Sequence, residues 1–315
     1  MRIFSSYRIF AYIAALLGSL TLSPTTIASD ASTSASPAIS ADEIALELSN
    51  PVSAIRSLAI DLEFRTYRGD LPEADGQFSS RYVFDLSWPI KLANGNNILL
   101  SATIPVNRAQ PLWTRPGGRQ LGEFRIRQVP ERVFTGGVFR DGHSHLDDSG
   151  INVGYGGTNA SGLFGMFGLA SILPTSTDQN VSRDQYLLGP EFALGKITGW
   201  GLIGAQAKHL TNVYGEGDGD WDTNMSSLQL LFAYGLGNGW QIESSPIIHY
   251  DWEAVSGNEW SVPIGGGVSK TVRLGSLPLK MAFDIEYFVV SPDRLGPDWL
   301  FAIKFSPVIS TKLLR

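Results

Sequence analysis

The chain has 315 residues, 43% of them hydrophobic, a net charge of −6 and no cysteine. The acidic balance argues against a nucleic-acid partner, because phosphate binding requires a basic surface. The lack of cysteine excludes disulfides, thiolate catalysis and cysteine-based metal sites. After residue 22 no apolar run approaches the roughly 20 residues that a membrane helix needs, although transmembrane strands would leave no such run.

Residues 1–28 are predicted to be a signal peptide. Arg2 and Arg8 supply a basic start, residues 9–22 are apolar, and Ala28 ends a small-x-small motif suited to cleavage. An uncleaved membrane anchor is the alternative, although the apolar region is short for a span. In either case we expect the chain to be exported.

Residues 29–56 are predicted to be a flexible lead-in followed by a short helix. Residues 29–40 are rich in Ser, Ala and Thr, a composition typical of disorder. Ser40 and Glu43 then have the spacing of a capping box, and Pro51 favours an end to the helix near Leu48.

From Ser57 the sequence alternates between apolar and polar residues, which predicts strands with two different faces. In residues 279–289 every odd position is apolar, whereas the even positions include Lys280, Asp284 and Glu286. The faces of the fourth, fifth and seventh strands remain ambiguous. Twelve strands are predicted, at about residues 58–65, 81–90, 98–105, 151–157, 163–173, 185–194, 200–214, 227–234, 240–252, 260–269, 279–289 and 298–305.

The connections between these strands alternate in length. Those after even-numbered strands have about five residues, whereas those after odd-numbered strands are mostly longer and more polar, the longest being residues 106–149. This alternation is typical of an up-and-down outer-membrane barrel, with tight turns on one rim and long loops on the other. A soluble sandwich with Greek-key connections would not separate loop lengths in this way.

Tryptophan supports the same interpretation, because Trp is enriched where transmembrane strands meet the membrane surface. Three tryptophans lie next to short turns and three next to long loops: Trp88, Trp200 and Trp240, and Trp252, Trp260 and Trp299. The predicted fold is therefore all-β, a single antiparallel up-and-down transmembrane β-barrel of about 12 strands. It covers residues 57–308, after a short N-terminal helical segment and before a C-terminal tail at 309–315. A soluble periplasmic β-sandwich is the alternative.

Several short motifs are spread over the predicted barrel and the residues just before it. They are Asn50-Pro51, Gly189-Pro190, Ser269-Lys270 and residues 214–220, 250–254, 260–263 and 291–299. With these, the chain from about residue 57 to 307 resembles the outer-membrane β-barrel family of the MetA pathway of phenol degradation. The resemblance implies a single-chain transporter in a Gram-negative outer membrane. The chain differs from the family in its longer 106–149 loop and in continuing to Arg315 after Phe305.

Three groups of polar residues could carry other chemistry. His143 and His145, with two nearby aspartates, suit a metal, but no second cluster completes a ligand set, so a solvated loop is favoured. The alternating acids of residues 216–222 suit calcium but lack the glycine and final glutamate of an EF-hand, so a polar loop is expected. No serine pairs with His249 by sequence spacing, so neither a catalytic residue nor a metal or other cofactor is predicted.

The polar faces of the clearest strands supply candidate pore-lining residues, in which acids outnumber bases eight to four. This excess favours cations in an open bore, although residues 40–58 could plug the barrel from the periplasmic side. The candidates are Asp61, Glu63, Arg65, Arg81, Asp85, Glu191, Glu243, His249, Asp251, Lys280, Asp284, Glu286 and Lys304.

These observations predict an outer-membrane channel or transporter, not an enzyme, that lets small molecules pass along a polar lumen. Its expected partners are the outer-membrane bilayer and an unidentified small solute. A closed structural or surface-binding barrel is the alternative within the same fold.

Overall fold

The computed structural model describes residues 40–115, 118, 120–215 and 222–309. The predicted signal peptide, the lead-in before residue 40 and the tail from residue 310 lie outside the described residues, as does most of the acidic 216–222 segment. The helices are α1 (Ala41–Ser49) and α2 (Glu123–Ile126), with a 3₁₀ turn at Glu131–Phe134. The strands are β1 (Ser57–Arg68), β2 (Phe78–Lys91), β3 (Asn97–Ala109), β4 (Pro111–Thr114), β5 (Val138–Asp141), β6 (His145–Leu146), β7 (Ser149–Thr158), β8 (Leu163–Leu173), β9 (Tyr186–Thr198), β10 (Gly201–Tyr214), β11 (Asn224–Gly237), β12 (Trp240–Ser244), β13 (Ile247–Asp251), β14 (Trp260–Leu274), β15 (Leu277–Val290) and β16 (Gly296–Pro307).

The long strands form one antiparallel sheet that closes on itself. Each pairs with the next in the chain, and β1 also pairs with β16, with Ile60 opposite Phe305 and Phe64 opposite Phe301. Together, β12 and β13 occupy one position in the wall between β11 and β14, so the barrel has twelve strands. The prediction of an all-β, up-and-down barrel is confirmed.

Two parts of the chain differ from the sequence-based expectations. The predicted ninth strand is two strands, β12 and β13, separated by Ser245 and Pro246, and proline has no N–H for the ladder. The long 106–149 connection contains the hairpin of β4 and β5, the short strand β6 and α2. Its irregular sequence conceals these elements because they are only two to four residues long.

Tight turns and a capped helix show how local sequence sets this architecture. The turn between β11 and β12 places Asn238 and Gly239 at φ values of 54° and 80°, the left-handed region that hairpin turns of this kind require. At the start of α1, Glu43 N donates to Ser40 Oγ (3.1 Å) and Ser40 N donates to Glu43 Oε2 (2.7 Å), which completes a capping box.

The outer face of the barrel is apolar. Phe167, Phe192, Leu194 and Ile264 are 55–63% exposed there, and many other large apolar side chains lie between them. So much exposed apolar surface is foreign to a water-soluble monomer but matches the hydrocarbon layer around a transmembrane barrel. Among the residues that the structure describes, no helix has both the length and the apolar character needed to cross a membrane.

Aromatic rings gather at both ends of this apolar face. At the long-loop end, Tyr250 packs against Trp252 and Trp260 with ring centroids 4.7 and 4.6 Å apart. At the short-turn end, the Lys270 ammonium lies 5.0 Å from the centre of the Trp240 ring. Rings in these positions suit the interface between hydrocarbon and water, where Trp and Tyr are enriched.

Arginine substitutions along β8 should reveal the depth of the bilayer. Phe167→Arg, in the middle of the strand, is expected to destabilise the folded barrel in lipid by about 2–4 kcal/mol. Leu163→Arg, at the short-turn end of the same strand, should cost at most about 1 kcal/mol, because the interface tolerates charge. Denaturant titration in lipid vesicles measures both, and equal costs at the two positions would contradict an outward lipid-facing role for β8.

Candidate functional site in the barrel interior

Charged side chains from β1, β2, β15 and β16 meet on the inner surface of the barrel. The carboxylate of Glu63 accepts from Arg81 Nε (2.7 Å) and from Arg65 Nη2 (3.0 Å). On the neighbouring strands, Lys304 Nζ lies 3.0 Å from Asp284 Oδ2. Asp61 lies opposite Lys304 in the ladder between β1 and β16, so the structure brings together candidates that the sequence places more than 200 positions apart.

A second set of contacts joins β9, β10, β12 and β15. Glu191 lies 3.3 Å from Lys208 Nζ, and its carboxylate also accepts from Gln206 Nε2 (2.5 Å). Glu243 lies 2.6 Å from Lys280 Nζ. Lys208 and Gln206 were not predicted, because the alternation in β10 left its two faces ambiguous. The ladder between β9 and β10 resolves this ambiguity: Gln206 lies opposite Ala193, and Lys208 lies opposite Glu191.

Four of the predicted acids have no ion pair among the residues that the structure describes: Asp61, Asp85, Asp251 and Glu286. Asp85 accepts a hydrogen bond from Thr103 Oγ1 (2.5 Å), and Asp251 accepts from Gln128 Nε2 (3.1 Å). The Oδ1 atom of Asp61 is buried without a hydrogen-bond partner. The inner surface thus retains negative charge after its ion pairs are counted.

His249 has a serine neighbour that sequence spacing does not reveal. Ser261 lies directly opposite His249 in the ladder between β13 and β14. The Ser261 hydroxyl, however, accepts from Arg127 Nη1 (3.3 Å), and no hydrogen bond joins it to His249 in the described chain. A nucleophilic serine needs a base within hydrogen-bond reach, and this pair does not provide one.

Another serine and histidine do contact each other, on the outer face near the long-loop end. His209 Nδ1 lies 2.9 Å from Ser226 Oγ, which also accepts from Trp252 Nε1 (2.9 Å). The described residues offer no third side chain that hydrogen-bonds the His209 ring, which a catalytic arrangement would need for orientation. The contact therefore supports the aromatic belt rather than catalysis.

The ring of His145, in the long connection, has polar contacts within the protein. The ring of His145 contacts His143 O through Nδ1 (2.7 Å) and Asn107 Nδ2 through Nε2 (3.1 Å), while Asn107 also donates to Asp147 Oδ2 (3.0 Å). In the described ranges no cluster of three or more His, Asp or Glu side chains could hold a metal ion. Both ring nitrogens of His145 thus have a structural role.

The segment from α1 to Val52 crosses the bore, the space enclosed by the barrel, at its short-turn end. Ser49 Oγ donates to Gln241 Oε1 (3.3 Å) on β12 and accepts from Lys280 Nζ (2.8 Å) on β15. Three residues further on, Val52 O accepts from Asn97 Nδ2 (3.2 Å) on β3. Because β3 and β12 lie half-way round the barrel from each other, this segment spans the bore from wall to wall.

The connection between β3 and β7 covers the long-loop end. Trp113 is 1% exposed and packs edge-on against Phe134 and Phe139, with ring centroids 5.8 and 4.9 Å away. Ile126 and Leu295 complete this buried cluster and are both 0% exposed. The connection thus shares an apolar core with the loops after β1 and β15, which fixes it at the long-loop end.

Polar contacts attach the same connection to the barrel wall. Glu123, in α2, accepts from the Tyr67 hydroxyl (3.0 Å) on β1 and forms an ion pair with Arg127. From the other side, Arg294 Nη1 donates to Ile126 O (2.9 Å). These contacts reach β1 and the loop between β15 and β16, so α2 is held at several points round the rim.

The ionisation of Glu123 strengthens this attachment. Burial alone would raise the pKa of Glu123, but the charges of Arg127 and Arg65 and the hydrogen bond from Tyr67 hold that pKa below its ordinary value. A depressed pKa in the folded state means that the carboxylate stabilises the closed loop at pH values above the ordinary pKa of about 4.3. That stabilisation is lost as the pH falls through the lower, folded-state value.

A cavity of about 200 Å³ lies between α1 and the barrel wall. Leu48 and Ser49 of α1 form one side of it, and Lys280, Lys304 and Ser306 form part of the opposite wall. Ionic and apolar groups therefore line the same cavity.

No known family model matches the chain, and no curated protein matches its sequence. Its fold is similar to that of a solved outer membrane channel from Pseudomonas putida F1, with a TM-score of 0.55 and 10% identity over 81% of this chain and 96% of the other. NanC porin (TM-score 0.44, 10% identity, 80% and 99% coverage) and the toluene transporter TodX of Pseudomonas putida (TM-score 0.43, 9% identity, 84% and 93% coverage) are more distant. The protein is an outer-membrane β-barrel. At such low identity these similarities concern the fold alone.

Removal of the Lys280 ammonium should release α1. Lys280→Met deletes the hydrogen bond to Ser49, and a bond from a charged donor contributes about 1.5–3 kcal/mol. Because the chain has no cysteine, Ala45→Cys provides a unique thiol at a position that is 0% exposed. We expect thiol labelling in lipid vesicles to become at least about tenfold faster.

Lys304→Met is the matched control for this experiment. It removes a buried ion pair with Asp284 without any hydrogen bond to α1, so labelling of Ala45→Cys should stay slow. Equal acceleration in both variants would show that loss of buried charge loosens the whole interior rather than α1.

Proposed function

We propose that this barrel is a gated channel that lets small molecules cross the outer membrane. The observation that carries the proposal is the α1 segment, which crosses the bore through a few polar contacts while the wall of the barrel is complete without it. A segment attached in this way can leave the bore without unfolding the strands. The similar fold of an outer membrane channel supports the proposal.

The thirteen charged or histidine side chains predicted from the sequence would line the path. Four acids without an ion pair would make the bore mildly selective for cations, because rings of acidic side chains attract them. The motifs shared with the MetA-pathway family support a transporter of that kind, and we propose membership of that family on those motifs.

A closed structural or surface-binding barrel is the second candidate. It is favoured by the presence of a cover at each end of the bore, α1 at one and the connection between β3 and β7 at the other. Its outer loops would then meet a partner while no solute passes.

Deletion of residues 40–54 separates these two functions. The channel should conduct potassium chloride in planar bilayers with a several-fold larger current than the full chain, because the bore loses the cover at its short-turn end. The second candidate would show no current in either form. Folding of the deletion variant is checked by its heat-dependent mobility in detergent gels, a property of intact barrels.

Acid should open the long-loop end. As the pH falls through the lowered pKa of Glu123, protonation removes its ion pair with Arg127, so channel openings should become more frequent. Glu123→Gln imitates the protonated form and should raise the open probability at pH 7 while abolishing the step at acid pH. Single-channel recordings between pH 3 and 7 measure both effects, and an acid step that persists in Glu123→Gln would assign it to another group.

A further inference from the structure

The wall between the β12–β13 pair and β14 contains the longest interruption of backbone pairing among the barrel strands that the structure describes. Pairing runs from Trp240 opposite Lys270 to Glu243 opposite Gly267, and it resumes where His249 faces Ser261. The register is the same on both sides of the interruption. Residues 244–248 and 262–266, five on each strand, therefore face each other without ladder pairs.

Two prolines lie at this opening, and one of them removes a donor from the ladder. Pro246 separates β12 from β13, and Pro263 lies in β14 at the position that would face Ile247. Neither has an N–H to donate, and proline is normally confined to sheet edges and bulges. Leu230 N on β11 donates to Pro246 O (3.1 Å), so the backbone of Pro246 faces β11, and Pro263 is the proline that withholds a donor from the gap.

Only a side chain spans the start of the gap in the described structure. Ser244 Oγ donates to Gly265 O (2.6 Å), where ladder hydrogen bonds between backbone groups would otherwise hold the two strands. A hydroxyl can rotate away at little cost, so this contact can be made and broken while the strands stay in place.

The cavity described above opens onto this gap. Its lining includes Ser244 and Ser245 at the gap, inner residues such as Gln229, and Phe232, whose ring is 37% exposed on the outer face. The cavity thus borders the gap at Ser244 and Ser245. Ile247, at an inner-facing position, is 38% exposed and adds an apolar edge.

Unpaired backbone is expensive in hydrocarbon, where each unsatisfied group costs several kcal/mol, and it is tolerated only where it borders a cavity. The cavity therefore explains how the five unpaired positions on each strand can exist within the membrane. The lining is mixed: Leu48, Leu202 and Leu231 are apolar, whereas Glu243 and Lys280 are charged. This combination suits a small molecule with an apolar body and one polar group.

We propose that the gap is a lateral port through which small, mainly apolar solutes move between the bore and the hydrocarbon layer. The proposal rests on the channel function above and specifies its exit route and class of solute. The solute enters from the long-loop end, places its polar group near Glu243 and Lys280, and leaves between residues 244–248 and 262–266. The Ser244 hydroxyl acts as the latch.

A disulfide across the port tests this route. Ile248→Cys with Val262→Cys places one thiol on each side of the gap, and Ile242→Cys with Val268→Cys places a matched pair across the intact ladder. The probe is N-phenyl-1-naphthylamine, which fluoresces on entering hydrocarbon, added to Gram-negative cells that express the full chain. Potassium chloride conductance of the same purified variants in planar bilayers reports the bore independently.

Oxidation of the port pair should reduce probe entry to the level of cells without the protein, and reductant should restore it. The ladder pair should admit the probe at the wild-type rate in both states, and conductance should change in neither variant. If the port pair does not oxidise, Pro263→Val returns the missing N–H donor opposite Ile247 and should close the port instead. Ser244→Ala, which removes the latch, should accelerate probe entry.

Probe entry at the wild-type rate through a verified port disulfide would overturn the proposal, as would equal inhibition by the ladder disulfide. Failure of the channel function is a separate result, because wild-type protein would then conduct no potassium chloride. If the port disulfide blocks probe entry but the wild-type protein conducts no potassium chloride, the port is supported and the polar path through the bore is rejected.

Discussion

The structure depends on the requirement that backbone N–H and C=O groups within a bilayer be bonded inside the protein. Closure between β1 and β16 meets this requirement for a sheet that would otherwise end in two open edges. It also explains why the outer face can be so apolar: once the backbone is satisfied, only side chains meet the lipid. Pro263 lacks the N–H that would face Ile247, so the requirement is relaxed there, and a cavity borders that place.

The interior follows a different constraint, because charges removed from bulk water need partners. Glu63, Glu191, Glu243 and Asp284 each have a basic partner on the inner surface. These contacts connect neighbouring strands and, through Lys280, connect the wall to α1. One lysine thus serves both the wall and the segment that crosses the bore, so gating and wall electrostatics are physically coupled.

The two covers differ in how firmly they are held. The connection between β3 and β7 has a buried aromatic cluster around Trp113, and Glu123 and Arg294 attach it to the rim. The α1 segment is held by hydrogen bonds to Lys280, Asn97 and the Gly239 backbone, by the burial of Ala45, and by an apolar contact around Val52. Opening at the short-turn end therefore leaves the aromatic cluster around Trp113 intact. The lateral gap offers a third way out that requires neither cover to leave.

The sequence by itself determined the barrel, because alternation along a strand and the lengths of turns are local properties that a bilayer selects strongly. Residues 279–289 show their lipid-facing and inward-facing sides without any knowledge of their neighbours. Only the tertiary structure decided which charges meet, as with Lys280 and Glu243, and that Ser49 and Val52 contact opposite walls. It also showed that Pro263 lies opposite Ile247, where the ladder between β13 and β14 is interrupted. These facts depend on the register between strands that are far apart in the chain, and no local pattern encodes that register.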